Sequence, residues 1–407
     1  MNKFERKVLH KVSIPVSDNG IKVSELVSLI KENYLSRDIF KFLEIDEILN
    51  DFININGAKT LYNTQVILNE RFYKEDLQSS IDNITFYNKD KFSINFSDTS
   101  NSKYFKDIKV SSVCTYPIYS ATRDFFSSLY NMDKYASRLI ETGNKHIVEA
   151  NLELLKDVVE KNDKRYRILH DKVENEFYLR AIISLTNYNN YDNNVAIVIG
   201  LLTLHNEMKK SNLTYSLKRC EYNESFIRMF FESSEIKKLE SIGTVKNIVE
   251  VSNDEIKREA LRFTGVCLIE FGNKNKKTDE IFIRPQETKS RILSVKHNQS
   301  TVNAIRELGN IENTKKIHEE LYDDILTITT ITKPEQIKYL VQKKIENAKS
   351  DEVRRIKIPL LKELSNKVDN IIQLLTVFRK IELLANEDIE AVEYIRFIIY
   401  QALIERK

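Results

Sequence analysis

The residues best suited to bind a ligand are the basic side chains between positions 271 and 300. This segment contains seven lysines and arginines and three carboxylates, which gives it a net charge of +4 (7 − 3). Lysine and arginine bind the phosphate groups of nucleic acids. Arg284, Arg291 and Lys296 lie on or beside two adjacent predicted strands. We predict that four cations of the segment contact phosphates: Arg284, Lys289, Arg291 and Lys296. The other three are Lys274, Lys276 and Lys277.

A second basic cluster lies earlier in the chain. It begins at Lys161, and we predict that its remaining members bind nucleic acid: Lys164, Arg165 and Arg167. Four tyrosines are close to this cluster, and aromatic rings beside cations are typical of proteins that bind single strands: Tyr166, Tyr178, Tyr188 and Tyr191. The alternative for both clusters is a solvated strand face above ordinary core tyrosines.

Three residues have the order expected of a metal-dependent nuclease. Two carboxylates would hold the metal and a lysine would lie beside them, as Asp192, Glu207 and Lys209 do in sequence. However, Glu207 falls on a predicted helix, whereas this geometry needs a strand. His205 and Glu207 match part of the zinc-deaminase motif, but its Cys-x-x-Cys is missing. Acidic residues around His318 indicate a solvated helical face. We therefore predict no catalytic residue, no metal site and no cofactor.

Glycine is scarce, which argues against several nucleotide-binding folds. None of the 8 glycines belongs to a Walker-type loop, a dinucleotide-binding fingerprint or a nucleophile elbow. Such loops need glycine because a Cβ atom would block the required backbone conformation or the approach of a phosphate. We therefore do not expect nucleotide hydrolysis by a P-loop mechanism.

The composition is that of a globular protein. The chain has 407 residues, of which 42% are hydrophobic, and its 63 basic and 60 acidic residues leave a net charge of only +3. This balance gives no global attraction to nucleic acid, so binding must come from a local patch. Three widely separated cysteines favour reduced thiols. Because no apolar stretch has the length of a membrane span, we predict a cytoplasmic protein without a membrane partner.

Hydrophobic periodicity predicts an α+β protein with three regions. Residues 1–160 form a mixed α/β region, which includes a hairpin over residues 84–96. Residues 161–300 form a central β-rich domain with one packed helix over residues 193–209. Residues 301–407 form a helical bundle. The basic clusters therefore fall on the strands of the central domain.

The C-terminal region has the clearest helix signals. Thr332 and Glu335 have the spacing of a capping box. One helical period runs from Pro359 to Leu384, and Asn386 is placed to cap the final helix. That helix is apolar on most sides, so it must be buried between neighbouring helices or against another subunit. The second alternative predicts a homo-oligomer formed through the C-terminal helices.

Several segments of the central domain carry motifs. They are Tyr166–Asp171, Leu179–Ser184, Tyr191–Asn193 at the start of a helix, Val249–Glu255 and Ser294–His297. Together they resemble the phage- and plasmid-associated family called domain of unknown function 932. The resemblance implies a gene carried by phages, plasmids or prophages, and it supplies no reaction. Asp192 or Asn193 can also cap the helix that follows, which is a structural explanation for part of the motif.

These observations lead to three hypotheses about function. The first is a non-catalytic nucleic-acid-binding protein of a phage, plasmid or prophage, which acts in mobile-element DNA metabolism. The second is a structural or assembly protein that oligomerises through its C-terminal helices. The third is a metal-dependent nuclease. The basic clusters and the resemblance favour the first hypothesis.

Overall fold

Two compact units make up the chain in the computed structural model. It describes residues 5–6, 8–15, 18–88, 92–159, 163–185, 189–256, 261–272, 278–285 and 287–407. The first unit contains Met1–Thr64 and Tyr191–Lys407, and the second contains Gln65–Asn190. A curled antiparallel sheet lies in the middle of the chain and helices follow at the C-terminus, so the predicted α+β class is confirmed.

The described residues form fifteen strands. These are β1 (His10–Lys11), β2 (Ile21–Lys22), β3 (Phe52–Ile53), β4 (Phe72–Ser79), β5 (Ile84–Asn88), β6 (Phe92–Phe96), β7 (Val113–Pro117), β8 (Lys164–Asp171), β9 (Glu176–Ile183), β10 (Tyr215–Tyr222), β11 (Phe226–Leu239), β12 (Gly243–Asp254), β13 (Leu261–Phe271), β14 (Asp279–Ile283) and β15 (Arg291–Val295). The unit boundaries differ from the predicted positions 160 and 300. The reason is that β8 and β9 pair with β4 and β7, which precede position 160.

Seventeen α-helices occur in the same described part of the chain. These are α1 (Val23–Leu26), α2 (Ser36–Phe42), α3 (Ile45–Ile48), α4 (Ala58–Arg71), α5 (Lys103–Asp107), α6 (Ala121–Tyr130), α7 (Asp133–Glu141), α8 (Lys145–Lys156), α9 (Asn193–Lys210), α10 (Glu287–Ser290), α11 (Thr301–Leu308), α12 (Thr314–Leu326), α13 (Pro334–Glu346), α14 (Asp351–Arg355), α15 (Lys357–Leu364), α16 (Ile371–Leu384) and α17 (Ile389–Tyr400). Helix α9 confirms the helix predicted over residues 193–209.

A seven-stranded antiparallel sheet forms the centre of the first unit. Its strand order is β1-β10-β11-β12-β13-β14, and β15 also pairs with β13. Strands β12 and β13 are buried along most of their length, as continuous apolar runs predict. Helix α9 shares a core with Met229, Val249 and Val251 of the sheet. This packing explains why α9 is apolar on nearly all sides.

Helix α12 approaches the sheet closely at Gly265. A Cβ atom at this position would lie 2.8 Å from Cγ2 of Ile317 and 3.1 Å from Cδ1 of Leu321, so a side chain would disturb the packing. The neighbouring His318 is buried, and its Nε2 lies 2.9 Å from the carbonyl oxygen of Ile248. Burial lowers the pKa of His318 to about 4. This histidine therefore belongs to the core, while the acidic residues beside it remain at the surface.

The C-terminal helices pack against strand β14 and one another. Helices α16 and α17 both contact this strand, where Ile281 and Ile283 join the helical core. In α17, Val392, Ile395 and Ile399 are almost completely buried within the chain. This confirms burial between neighbouring elements. Because the chain itself covers these side chains, α17 no longer supports the predicted homo-oligomer.

Two predictions about the start of C-terminal helices are wrong. Helix α13 begins at Pro334, so its N-cap position is occupied by Lys333 and not by Thr332, and no side chain caps it. The Glu335 carboxylate accepts a hydrogen bond from the backbone N–H of Val368 (2.7 Å). The final helix is capped by Asp388, whose Oδ1 accepts hydrogen bonds from two backbone N–H groups, 2.9 and 3.0 Å away. Asn386 accepts a hydrogen bond from Arg219 (3.1 Å) and does not cap the helix.

The long helical period from Pro359 to Leu384 is also interrupted. It divides into α15 and α16, and the residues between them are not helical. The side chain of Asn370 accepts a hydrogen bond from the backbone N–H of Gln373 and so caps α16. A strong N-cap residue therefore starts a new helix although the apolar spacing continues across the break.

A six-stranded sheet forms the second unit. Its strand order is β4-β8-β9-β7-β6-β5. The hairpin predicted over residues 84–96 is confirmed as the antiparallel pair β5 and β6, and positions 89–91 between them lie outside the described residues. The core of this unit is rich in aromatic residues, including Phe96, Phe105, Phe125 and Phe126.

Among the described helices of both units, none is long and apolar enough to cross a bilayer.

Candidate nucleic-acid interface

Arg284 lies directly after strand β14 and is enclosed by acidic residues. Its Nη2 is 2.8 Å from Oε1 of Glu250, and its Nη1 is 2.7 Å from Oε1 of Glu393. Only 12% of the Arg284 side chain is exposed. Because its guanidinium binds two carboxylates inside the protein, Arg284 holds the fold together and is not placed to meet a phosphate. The predicted phosphate contact at Arg284 must therefore be corrected.

This arginine belongs to a charge network that joins the sheet to the last two helices. Arg396 on α17 donates hydrogen bonds to Glu221 on β10 and to Glu382 on α16. Burial disfavours the charged form of Glu221, but the guanidinium groups around it outweigh burial and lower its pKa to about 2. The network has four arginines and four glutamates: Arg219, Glu221, Arg228, Glu250, Arg284, Glu382, Glu393 and Arg396. Its charges therefore balance within the protein.

The other three predicted cations of the segment are exposed. Lys289 on α10 is 52% exposed, and its Nζ lies 3.3 Å from Oε1 of Glu405. Arg291 begins strand β15, and Lys296 directly follows the end of that strand. Lys274, Lys276 and Lys277 lie outside the described residues. The structure thus separates the cations of this segment into one buried arginine and three at the surface.

Arg291 and Lys296 line a common groove, which we call the β15 groove. Its volume is about 710 Å³. Six other described lining residues carry small amides or hydroxyls: Ser294, Asn298, Gln299, Ser300, Asn303 and Asn310. Glu307 is the carboxylate among the described lining residues, and it accepts a hydrogen bond from Nδ2 of Asn310 (2.9 Å). Among the described lining residues, two cations and one carboxylate give a net charge of +1 (2 − 1).

Buried hydrogen bonds hold the turn on one side of the β15 groove. The backbone N–H of Gln299 donates to the carbonyl oxygen of Lys296 (3.0 Å), which closes the turn. The Tyr191 hydroxyl donates to the carbonyl oxygen of Gln299 (3.2 Å). Nε2 of His297 lies 2.9 Å from the carbonyl oxygen of Asp254. These contacts tie the turn to buried residues on both of its flanks.

The same contacts bring together segments that carry the family resemblance. Asp192 accepts a hydrogen bond from the backbone N–H of Val195 (2.8 Å), so the predicted cap of α9 is confirmed. Nδ2 of Asn253 donates to the carbonyl oxygen of Tyr191 and to Oδ1 of Asn193, both at 3.0 Å. The motif residues therefore connect β12 to the start of α9, next to the turn that borders the groove.

Most of the second basic cluster is engaged within the second unit. Arg167 is buried, with Nε 3.0 Å from Oδ1 of Asp76 and Nη2 2.6 Å from Oδ1 of Asn190. Arg165 is partly buried and donates to the carbonyl oxygen of Leu185 (3.0 Å). The predicted phosphate contact at Arg167 must therefore be corrected, because its guanidinium is held inside the sheet.

Lys164 and the predicted tyrosines also have local roles. Lys164 is partly buried and lines a largely apolar pocket of about 870 Å³. Tyr166, Tyr178 and Tyr191 are all buried, and burial raises the pKa of Tyr166. They are core residues, as the alternative interpretation states. Lys161 and Tyr188 lie outside the described residues.

The residues of the nuclease hypothesis lie far apart on helix α9. Asp192 caps its first turn, whereas Glu207 follows fifteen residues later, about 22 Å along the helix axis. These two carboxylates cannot share a metal ion. Lys209 pairs with Asp51, and Nε2 of His205 lies 3.5 Å from the same carboxylate. In the described part of the chain, no group of three His, Cys, Asp or Glu residues could hold a metal ion.

The amide and hydroxyl side chains of the β15 groove were not predicted. Asn298, Gln299 and Ser300 form a polar run directly after the strand that Lys296 follows. Such a run predicts an ordinary surface loop. Its position beside two basic residues could have indicated a binding site. The place of Asn303 in the groove could not be predicted, because it depends on how α11 packs.

No protein-family profile matches the chain, and no curated protein or solved structure is significantly similar to it. The resemblance to the domain of unknown function 932 therefore stays a prediction. Function must be argued from the geometry of the groove and from the chemistry of its side chains.

Proposed function

We propose that the chain binds nucleic acid and that the β15 groove contacts its phosphate backbone. The observation that carries this proposal is the exposed pair Arg291 and Lys296 in a groove lined by amides and hydroxyls. Arginine, lysine, asparagine, glutamine and serine side chains supply most phosphate and sugar contacts in protein–nucleic acid complexes. In accord with the family resemblance, we place this binding in the DNA metabolism of a phage, plasmid or prophage, without a catalytic step.

The spacing of the two cations suits a polymer better than a single phosphate. Arg291 begins β15 and Lys296 follows its end five residues later, which corresponds to at most about 17 Å because the pairing of this strand is irregular. Two phosphates of one backbone can therefore be engaged at the same time. No aromatic ring occurs among the described residues of the groove lining, so the groove is suited to backbone contacts and not to base stacking.

The proposal changes the predicted set of binding residues. Arg291 and Lys296 are its centre, and Lys289 is an additional exposed cation on the same unit. Lys164 remains a secondary candidate on the second unit. Arg284, Arg167 and Arg165 are left out because each is bound within the protein.

The test is binding of labelled single-stranded and double-stranded DNA across a salt series. The double variant Arg291→Glu/Lys296→Glu should bind much more weakly. In a milder variant, Arg291→Gln/Lys296→Gln, the slope of log K against log salt should fall by about 1.4–1.8. The reason is that each lost phosphate contact contributes about 0.7–0.9 to the slope.

A control with the same charge change is Lys316→Glu/Lys367→Glu. These lysines are 78% and 80% exposed, and neither is among the described residues that line the β15 groove. The control should retain most of the affinity. The proposal fails if the wild-type protein does not bind at low salt, or if both charge-reversal variants lose affinity equally.

A further inference from the structure

Strand β5 lies at one edge of the six-stranded sheet in the second unit. Among the described strands it pairs with β6 alone, through five consecutive residue pairs without a bulge. Thr85 and Tyr87 are exposed on one face of the strand. Phe86 lies between them, and its ring packs against Phe92 and Phe126, with centroids 4.7 and 6.1 Å away. The strand therefore has a solvent face and a core face, but only one neighbour.

The hydrogen-bond pattern shows which backbone groups of β5 face the open edge. The N–H of Ser97 donates to the carbonyl oxygen of Asn83 (2.9 Å), and these two residues continue the register of β5 and β6. Hydrogen-bonded pairs alternate with pairs that are not bonded along an antiparallel ladder. The backbone groups of Thr85 and Tyr87 therefore bond to β6, whereas the N–H and C=O of Phe86 point away from it. Among the described residues, none bonds to Phe86 on that side.

The opposite edge of the same sheet is protected against pairing. Strand β4 contains Lys74, Glu75 and Asp76, and the side-chain amide of Asn101 donates to the carbonyl oxygen of Gln78. Charged residues on an edge strand prevent the addition of another strand. Strand β5 has no charged residue, and four of its five residues are types that favour strands, in the sequence Ile-Thr-Phe-Tyr-Asn. Of the two edges, β5 is therefore the one suited to a partner strand.

We infer that β5 is an interaction surface for a second copy of the chain, and that the two β5 strands pair antiparallel around a two-fold axis at Phe86. The two Phe86 residues then exchange backbone hydrogen bonds, and the N–H of Asn88 donates to the carbonyl oxygen of Ile84 in the other copy. Thr85 lies opposite Tyr87 of the other copy, and pairs of a β-branched and an aromatic residue stabilise sheets. This surface is separate from the C-terminal helices, and the inference does not depend on nucleic-acid binding.

The distribution of charge favours a second copy over an acidic or a basic partner. A two-fold axis places β5 opposite its own sequence, so a strand with charge of one sign would face like charges. The charged residues flank the strand instead. Asp82 precedes it, and Lys89, Asp90 and Lys91 follow it in sequence, outside the described residues. Antiparallel pairing brings the start of one strand beside the end of the other, and the flanking sequences have net charges of −1 and +1 (2 − 1).

The dimer should form in a concentration-dependent way. A strand of five residues buries less surface than the roughly 1,200 Å² of a stable interface. The experiment is therefore sedimentation velocity of the full chain, without nucleic acid, over a hundredfold range of protein concentration. The average mass of the wild-type protein should rise towards twice the mass of one chain.

Two variants test the register of the pairing. Thr85→Lys/Tyr87→Lys places lysine opposite lysine across the two-fold axis, so it should remain a monomer at every concentration. Thr85→Lys/Tyr87→Glu places lysine opposite glutamate in the same register, so the dimer should return. The two variants differ at one position only, and circular dichroism establishes that both are folded.

The matched control is Leu154→Lys/Val158→Lys, which adds two positive charges at apolar positions of the same unit that are 73% and 78% exposed. It should dimerise like the wild type. The inference is overturned if the wild-type protein keeps the mass of one chain at every concentration, which would leave β5 open to a strand of another protein. It is also overturned if the folded lysine–glutamate variant is as monomeric as the lysine–lysine variant.

Hydrogen exchange of the wild-type protein provides a measurement that needs no variant. The N–H of Phe86 faces solvent in a single chain and is hydrogen-bonded in the dimer, so a peptide that covers β5 should exchange more slowly as the protein concentration rises. A peptide that covers β4 should exchange at the same rate throughout. Exchange over β5 that does not change with concentration would contradict the pairing.

Discussion

Arg284 and Arg291 are close in sequence but lie in opposite environments. Arg284 is 12% exposed and bound to Glu250 and Glu393, whereas Arg291 is exposed and lines the β15 groove. The difference comes from what packs on each strand. Helix α17 contacts β14 and supplies Glu393, while β15 borders a groove that opens to solvent. Positive charge in a sequence therefore predicts a binding surface only where the fold leaves the cation exposed.

The charge network and the β15 groove also differ in what their charges contribute to stability. Buried ion pairs lose hydration, so their net contribution is small when complete, but removal of one partner leaves an unpaired charge. Exposed cations keep their hydration and contribute little to folding. A substitution in the network should therefore lower the free energy of unfolding, whereas a substitution in the groove should lower the affinity for nucleic acid.

The largest effect should follow from Arg396→Met, which removes one of the two arginines that Glu221 and Glu382 share and leaves Arg219 as the other. We expect a loss of about 3–5 kcal/mol in the free energy of unfolding, because the buried network loses one of its four cations and keeps all four carboxylates. Lys296→Met in the groove should change this free energy by less than about 0.5 kcal/mol. Urea denaturation of both variants measures the difference. A loss below about 1 kcal/mol for Arg396→Met would show that the network is not stabilised by pairing.

The network should also make the free energy of unfolding depend on pH in the acidic range. Burial opposes ionisation of Glu393, but Arg228, Arg284 and Arg396 lower its pKa to about 2. The pKa of Glu221 is also lowered to about 2, in this case by Arg396, Arg219 and Arg228. The unfolded chain, with a carboxyl pKa near 4.3, takes up these protons first as the pH falls. Stabilisation is therefore complete above about pH 4.3 and is lost progressively towards pH 2.

The variant Glu393→Gln tests this directly. It should be less stable than the wild type at neutral pH by at most about 3 kcal/mol, and the difference should shrink as the pH falls from about 4.3 to 2. Thermal unfolding across this pH range measures the effect. A difference that stays constant with pH would assign the loss to packing and not to charge.

The comparison shows which parts of the fold the sequence could predict. Periodicity identified the α+β class, helix α9 and the buried final helix, because one face or all faces of each element must be apolar. It did not predict the two units, because β8 finds its partners by tertiary pairing with strands distant in sequence. The cap of the final helix could not be predicted either, because it depends on a tertiary contact. Asn386 and Asp388 are both good caps, and the hydrogen bond from Arg219 to Asn386 leaves the role to Asp388.

The candidate site was predicted only in part for a similar reason. Local strand spacing placed Arg291 and Lys296 correctly beside β15. The partners of Arg284 are 34 and 109 residues away, so its burial could not be inferred from the neighbouring sequence. Asn303 depends on the packing of α11 beside the strand. A charge pattern thus finds candidate cations, and the tertiary fold decides which of them are available.

The smallest expected effect is a difference in the salt dependence of nucleic-acid binding between a groove variant and a network variant. Lys296→Gln should lower the slope of log K against log salt by about 0.7–0.9, because one phosphate contact is lost. Arg284→Gln removes the same charge but should leave the slope unchanged, although it lowers stability through Glu250 and Glu393. Both variants are compared at a temperature where circular dichroism shows them folded. An equal drop in slope for Arg284→Gln would mean that the charge network opens in the complex and releases Arg284 to the nucleic acid.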